Sequence, residues 1–388
     1  MISNYVNEAM ERSSWIRKMF ELGQELKRVH GIENVYDLTL GNPILEPPDK
    51  FFKVLAMLSV NTSTGKHRYM SNAGFEEVRK CVASYLSEKN ILNLEFKHVL
   101  MTVGVAGGMN VILKTILNPG DEVIILAPYF AEYVFYIQNH QGQVVVAETT
   151  DDFDLDFDEL DKKISSKTKA IILNSPNNPS GKVYSENSIN NLVQLLKSKQ
   201  TKFKSDIYLI SDEPYREIVF DGLEVPSIVS KYDNSFFAYS WSKSLSIPGE
   251  RIGYIAANPK MSDIDKIMDG LLFCNRILGF VNAPAVMQMA VGKLLHASVK
   301  VQYYEDKRNR IYNALIDAGY EVYRPEGTFY VFPKSPIADE IEFIKKAKDK
   351  RVLLVPGKGF GRCGYFRISY CTDDRTIERA LDQLVKLI

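Results

Sequence analysis

Apolar positions along the chain fall into three successive patterns. From about Asn4 to His30, the residues Met10, Trp15, Met19, Leu22 and Leu26 recur at near-helical spacing before Gly31, which predicts an amphipathic helix. Val35 to Leu40 is a short strand-like run feeding Gly41-Asn42-Pro43, a turn whose amides can face a ligand, and Pro47-Pro48 then breaks the chain. A helix over Phe75 to Glu88 follows the loop Tyr69 to Gly74. The second pattern is an alternation. Strand-like runs at Val99 to Val103, Glu122 to Ala127, Gln143 to Ala147, Lys169 to Asn174, Ile207 to Ser211, Ser235 to Tyr239 and Arg251 to Ala257 are interleaved with helical stretches such as Met109 to Leu117 and Ser188 to Lys199. Buried runs alternating with helices predict an α/β fold with a mostly parallel, doubly wound sheet covered on both faces. From about Pro284 the third pattern begins, with long helical periods at Val286 to Leu295 and Val301 to Ala318. Short strands at Phe329 to Phe332, Val352 to Val355 and Tyr365 to Ser369 and a final amphipathic helix from Thr376 to about Val385 complete it. The expected organisation is a large domain over 46–283 and a smaller α+β domain formed by 1–45 plus 284–388, joined through a long connecting helix.

Composition narrows the partners. Lysine plus arginine and aspartate plus glutamate each number 48, so no sign of charge dominates and neither nucleic acid nor an anionic membrane is an expected partner. The four cysteines, Cys81, Cys274, Cys363 and Cys371, have no CxxC spacing, which fits a reducing compartment and mostly buried thiols. The five histidines show no ligand spacing, so no metal is expected. Charged residues occupy the N-terminus where a signal peptide needs an apolar core, and no apolar run approaches a membrane span. A cytoplasmic location is the expectation.

In an open parallel sheet, ligands sit beyond the carboxyl ends of the strands, and the residues at those ends here are chemically pointed. After Val103 comes Gly104-Val105-Ala106-Gly107-Gly108, a small-residue turn opening a helix, hence amides and a positive dipole end for an anion. After Ala127 comes Pro128-Tyr129-Phe130, and after Leu173 the rigid turn from Asn174 to Gly181. Asp212-Glu213-Pro214-Tyr215 follows Ile210, and Ser240, Ser242 and Lys243 follow Tyr239. Lysine is a solvated charge by default. One delivered by a buried strand, partly desolvated and beside Arg251, favours its protonated form less and becomes a nucleophile toward an aldehyde. Taken singly, each feature is a common turn, cap or core residue. Together they suit one planar phosphorylated aldehyde. Its phosphate would meet Val105, Ala106, Ser240 and Arg251, its ring would stack on Phe130, and Asp212 would keep its ring nitrogen protonated. Asn178 and Tyr215 would hold its phenolic oxygen, and Lys243 would bond its aldehyde carbon. That molecule is pyridoxal 5′-phosphate.

Four motifs carry a family resemblance. They are Asn174-Ser-Pro-Asn-Asn-Pro-Ser-Gly181, Ser211-Asp-Glu-Pro-Tyr215, Ser240-Trp-Ser-Lys-Ser-Leu-Ser-Ile-Pro-Gly-Glu-Arg-Ile-Gly-Tyr254 and Phe366-Arg-Ile-Ser-Tyr370. In order and over nearly the whole chain, the sequence resembles the class I/II aminotransferases, the aspartate-aminotransferase-like enzymes of fold type I that use pyridoxal phosphate. The resemblance implies a homodimer in which Tyr69 reaches the neighbour's cofactor phosphate, Arg367 binding the substrate α-carboxylate, and Gly41 lining the same pocket. It also implies transfer of an amino group from an L-amino acid to a 2-oxo acid, through a Lys243 aldimine and pyridoxamine phosphate. Departures are Ser175 and Ser180 in place of a proline and a threonine, Val105-Ala106 where a hydroxyl or lysine is frequent, and Phe130 for a frequent tryptophan. The loop Gly357-Lys-Gly-Phe-Gly361 faintly resembles a phosphate loop but reads better as a tight turn beside Arg367. Two alternatives stay open: a lyase or decarboxylase on the same scaffold, and a non-catalytic cofactor-binding regulatory module. A dicarboxylate substrate would need a second cation, for which Arg276 or Arg68 can be nominated, although either suits a surface or interface. Trp15 and Phe20 as pocket residues would instead favour larger uncharged amino acids.

Overall fold

The computed structural model describes residues 2–12, 15–62 and 65–388, and of residues 11, 12, 15–18 and 20 the backbone alone. A seven-stranded sheet is its centre. The strands, numbered along the chain after a short β1 (Tyr36–Asp37), are β2 (Val99–Val103), β3 (Glu122–Ala127), β4 (Gln143–Glu148), β5 (Thr168–Asn174), β6 (Tyr208–Asp212), β7 (Ser235–Ser240) and β8 (Ile252–Ala257). Their spatial order is β2-β8-β7-β6-β5-β3-β4. Only β8 runs antiparallel to its neighbours in this sheet. Every residue of β7 and β8 is buried, because helices cover both faces and leave no solvent side to alternate toward. Each aliphatic side chain so enclosed contributes roughly 1.5–3 kcal/mol relative to exposure.

The tail adds β9 (Tyr330–Val331), β10 (Val352–Leu353), β11 (Val355–Pro356) and β12 (Phe366–Ser369). The run read as one strand from Val352 to Val355 divides. Its first part pairs in parallel with β1 and its second joins a three-stranded sheet β11-β12-β9. A hydrophobic cluster ties the two ends of the chain together, packing Met19 and Leu38 with Tyr304, Leu315, Phe343, Phe366 and Ile377.

Three expectations are corrected. The helical run read over Val286 to Leu295 is shorter, Ala285–Val291, with Pro284 before it and Gly292 at its end, whereas the run Val301 to Ala318 is the helix Val301–Asp317. The N-terminal pattern is helical over Asn4–Arg12 and Trp15–His30, but Met10, read as part of an apolar face, is 56% exposed while Met19 is buried. The cysteines are not mostly buried. Cys274 is, and Cys371 partly, but Cys81 and Cys363 are exposed. Cys81 lies on the outward side of the helix Glu76–Glu88, whose inward positions are taken by Val78, Val82 and Leu86. Among the described residues no helix is long and apolar enough to cross a membrane, and no group of three or more His, Cys, Asp or Glu could hold a metal ion.

Candidate active site

Strand ends β2, β3, β5, β6 and β7 open onto a cavity of about 350 Å³. Gly41, Val105, Ala106, Phe130, Asn178, Asp212, Tyr215, Ser240, Lys243, Arg251 and Arg367 all line it. Tyr69 does not. It is 90% exposed. Arg68 and Arg276 are exposed too and are not among the lining residues, and the side chains of Trp15 and Phe20 lie outside the described residues.

β7 ends at Ser240 and the turn after it delivers Lys243. The Lys243 Nζ donates a hydrogen bond to the carbonyl oxygen of Gly41 at 2.8 Å and lies 5.3 Å from the centre of the Phe329 ring. Burial is the first cause of its low basicity: the amine titrates at about 8 instead of 10.5. Cys371 pulls the value back up, while Arg367 and then Arg251 push it down, so desolvation leads as expected and Arg251, the cation named from sequence, acts after Arg367. Gly41 has to be glycine for packing reasons. A Cβ there would sit 1.7 Å from the Tyr330 hydroxyl oxygen.

The anion end of the cavity is built from backbone. The helix Gly104–Ile116 starts with no side-chain cap, so the first-turn N–H groups stand free beside Val105 and Ala106. Gly104 takes φ 66°, and a Cβ on it would lie 3.0 Å from an Arg251 Nη2. The guanidinium therefore lies against this helix start, held by a bond from its Nη1 to the Pro248 carbonyl at 3.0 Å. Ser240 Oγ adds a hydroxyl, 3.2 Å from Ser242 Oγ.

Opposite charge gathers at the end of β6. Asp212 is buried, its Oδ2 accepts a hydrogen bond from the Tyr133 hydroxyl, and its Oδ1 has no partner among the described residues. Burial raises this carboxyl to about 7, Tyr133 acts in the opposite direction, and Glu213 raises it further. An unpartnered carboxylate oxygen in a closed site is costly unless something binds it. The Asp212 main chain is held from β5, where Asn174 Nδ2 donates to the Asp212 carbonyl at 2.8 Å. Asn174 Oδ1 also accepts from the Asn178 N–H at 2.8 Å, which folds the turn back on itself. Ser180 finds a use here, its hydroxyl donating to Asn177 Oδ1 at 2.8 Å.

Arg367, on β12, is buried between two rings, with Tyr330 at 4.3 Å and Phe360 at 4.8 Å from the guanidinium carbon. Its Nη1 donates to Asn178 Oδ1 at 3.1 Å and its Nη2 to the Thr39 carbonyl at 2.6 Å, and Nε is unpartnered among the described residues. Two of five N–H donors are thus committed and the rest are free for an anion. Burial also lowers the basicity of this guanidinium. The tight turn 357–361 brings Phe360 to it, as expected of a loop beside this arginine. Tyr215 and Tyr330 complete the wall, their hydroxyls 3.2 Å apart.

Tyr133, Tyr136, Asn174 and Tyr330 were not singled out from sequence. Tyr133 and Tyr136 stand three apart on the helix Tyr133–Asn139, and Phe130 three residues before Tyr133 in the turn that leads into it, a spacing legible in principle.

The donor set fits a flat, anionic, protonatable ring aldehyde: an amine of lowered basicity, a free carboxylate oxygen, an uncapped helix start beside arginine and hydroxyl, and a buried arginine with spare donors. The comparisons agree in kind. The model of the family described as aminotransferase class I and II matches residues 33–384, and the chain belongs to that family. It is a transferase, and members of the family use pyridoxal phosphate. It is 30% identical to an aspartate aminotransferase of Thermotoga maritima, over 95% of this chain and 96% of that one. With aromatic-amino-acid aminotransferase 2 of Thermococcus litoralis it shares 29% over 98% and 96%. An aminotransferase crystal structure from Eubacterium rectale is similar with TM-score 0.96 and 36% identity, covering 100% of this chain and 98% of that one.

Proposed function

We propose that the protein transfers an amino group from an L-amino acid to a 2-oxo acid, using pyridoxal 5′-phosphate bonded through Lys243. One observation carries this reading: the low-basicity amine of Lys243 and the unpartnered Oδ1 of Asp212 line one cavity with the spare donors of Arg367. When bound, the cofactor supplies an aldehyde carbon for the amino group and a cationic ring that takes up the electron pair of the cleaved bond.

The chain's own residues do the rest. Lys243 Nζ would give up the Gly41 carbonyl, take the proton from the substrate Cα and return it to the cofactor's aldehyde carbon, on the far side of the shared nitrogen. Arg367 grips the α-carboxylate with its free N–H groups, which fixes the bond presented to Lys243. Asp212 Oδ1 accepts the ring N–H. Asn178, whose Oδ1 is turned to Arg367, offers its amide NH₂ with the Tyr215 hydroxyl to the phenolic oxygen. The phosphate lies at the helix start by Val105 and Ala106 with Ser240 and Arg251, and Phe130 covers the ring. Among the described residues Lys243, Arg251 and Arg367 are the cations lining the cavity, and each has a role. None of the three is left for a distal carboxylate, so one chain by itself furnishes the site for uncharged side chains, aromatic ones included, and a dicarboxylate such as 2-oxoglutarate would draw its second cation from the neighbouring subunit. We further propose a cytoplasmic homodimer in which exposed Tyr69 reaches the neighbouring site, with 46–283 holding the cofactor and 1–45 plus 284–388 the substrate carboxylate.

The test follows nitrogen. With the cofactor-loaded protein, ¹⁵N from labelled phenylalanine should appear in glutamate when 2-oxoglutarate is present, at one equivalent per phenylpyruvate formed. Ammonia or carbon dioxide as the stoichiometric product would assign a lyase or decarboxylase instead.

A pH dependence follows from the lysine. Its amine is protonated below about 8 and neutral above, so capture of free pyridoxal phosphate by the cofactor-free protein should accelerate with rising pH and reach half its plateau near 8. Stopped-flow absorbance measures this, and a midpoint near the ordinary lysine value would contradict the burial of the amine.

A further inference from the structure

Tyr133 has no part in the proposed contacts with cofactor or substrate, yet among the described residues it makes the one hydrogen bond that the Asp212 carboxyl group receives. We propose that Tyr133 is a positioning residue for the cofactor's ring nitrogen: its hydroxyl occupies Asp212 Oδ2 so that Oδ1 alone is presented to the ring, as an anion. The inference rests on the pyridoxal phosphate reading and deepens it.

A buried carboxylate has two oxygens and about four acceptor positions. If both oxygens were free, the group could rotate, or take up a proton and lose the charge that keeps the ring nitrogen protonated. Here each degree of freedom is removed by a named contact. Asn174 holds the main-chain carbonyl of Asp212 from β5, and Tyr133 holds Oδ2 from the helix Tyr133–Asn139. Oδ1 is the atom left over. The Tyr133 ring is fully enclosed and packs edge-on to Phe130, with centroids 5.5 Å apart and planes at 85°. The turn that enters this helix, closed by a bond from the Tyr133 N–H to the Phe130 carbonyl at 3.1 Å, therefore places both the ring-covering Phe130 and the tyrosine that holds the carboxylate.

The other ionisable groups about this pair do not replace Tyr133. Glu213 is turned to Ser211 and Arg216. Tyr136 and Arg251 line the cavity without bonding Asp212, and the Tyr215 hydroxyl lies 3.2 Å from that of Tyr330 without bonding Asp212 either. Burial and the Asp212 charge raise the Tyr133 hydroxyl well above the ordinary tyrosine range, so it stays a proton donor across the working pH. The bond from Tyr133 favours the carboxylate form of Asp212, against its burial. Removing the hydroxyl leaves Oδ2 buried and bare, and Asp212 then holds a proton more readily.

The experiment is a double-mutant cycle on the full-length protein, with Tyr133→Phe, Asp212→Asn and the pair. Cofactor-free protein is titrated with pyridoxal phosphate to obtain Kd, and the visible band of the loaded protein is titrated with pH. Tyr133→Phe should weaken Kd roughly 10-fold or more in the wild-type background, and less than about 2-fold when Asp212 is already asparagine. It should also move the midpoint of the visible band upward, because a less positive ring lets the neighbouring nitrogen bonded to the cofactor carbon keep its proton to higher pH. Equal weakening in both backgrounds, or a weakened Kd with an unmoved midpoint, would show Tyr133 to be a packing residue under Phe130 and overturn the inference. So would an unchanged Kd. Failure of the wild-type protein to bind pyridoxal phosphate at all would instead overturn the reading beneath it, and melting temperatures of the cofactor-free variants identify any that fold poorly.

Discussion

Replacing Lys243 with alanine is expected to lower turnover at least about 10,000-fold, because the change removes both the amine proposed to bond the cofactor and the base proposed to move the Cα proton. Either loss alone is large. The residue sits where no neighbour can substitute: its Nζ bonds the Gly41 carbonyl, and the other cations lining the cavity are arginines, which do not give up a proton at working pH. Fold and cofactor affinity should suffer far less than rate, since the phosphate end and Asp212 are untouched. Steady-state assay of amino-acid consumption checks this. A variant that works within a few-fold of wild type would remove Lys243 from the chemistry.

Replacing Arg367 with leucine should lower kcat/KM about 100- to 1,000-fold, mostly through KM. Truncating one partner of a buried, hydrogen-bonded charge pair costs about 2–5 kcal/mol. The Arg367 guanidinium lies over the Tyr330 and Phe360 rings and is pinned by Asn178 and the Thr39 carbonyl, so its fork is fixed before substrate arrives. Lysine at this position should recover little, having neither the planar shape that fits between two rings nor a second arm for Asn178. Because Asn178 bonds Arg367 and is also proposed to meet the phenolic oxygen, a modest fall in kcat should accompany the rise in KM. An arginine-to-leucine variant with unchanged KM for a range of amino acids would place the carboxylate elsewhere.

Much of this arrangement is legible in the amino-acid sequence, for a physical reason. A parallel sheet is apolar throughout, so the polar residues that interrupt it at strand ends stand out, and Asp212, Ser240 and Lys243 can be picked out on that ground alone. Arg367 cannot. It lies within a short strand in a part of the chain where alternation is weak, and only resemblance to a family points to it. Tyr133 is hidden for another reason: an aromatic residue on a helix reads as core, and the hydroxyl that reaches Asp212 leaves no trace in a hydrophobic pattern. The exposed Cys81 shows the opposite failure, a residue type usually buried that helical phase turns outward. Division of the run from Val352 to Val355 between two sheets is also beyond local pattern, because strand partners from Tyr36 and from Phe366 decide it.

Borohydride reduction of the protein after incubation with pyridoxal phosphate, followed by peptide mass mapping, is the most direct measurement of the central claim. The cofactor mass should be fixed on the peptide that carries Lys243, at close to one equivalent per chain. Label spread over surface lysines, or a protein that stays colourless and unmodified, would contradict it.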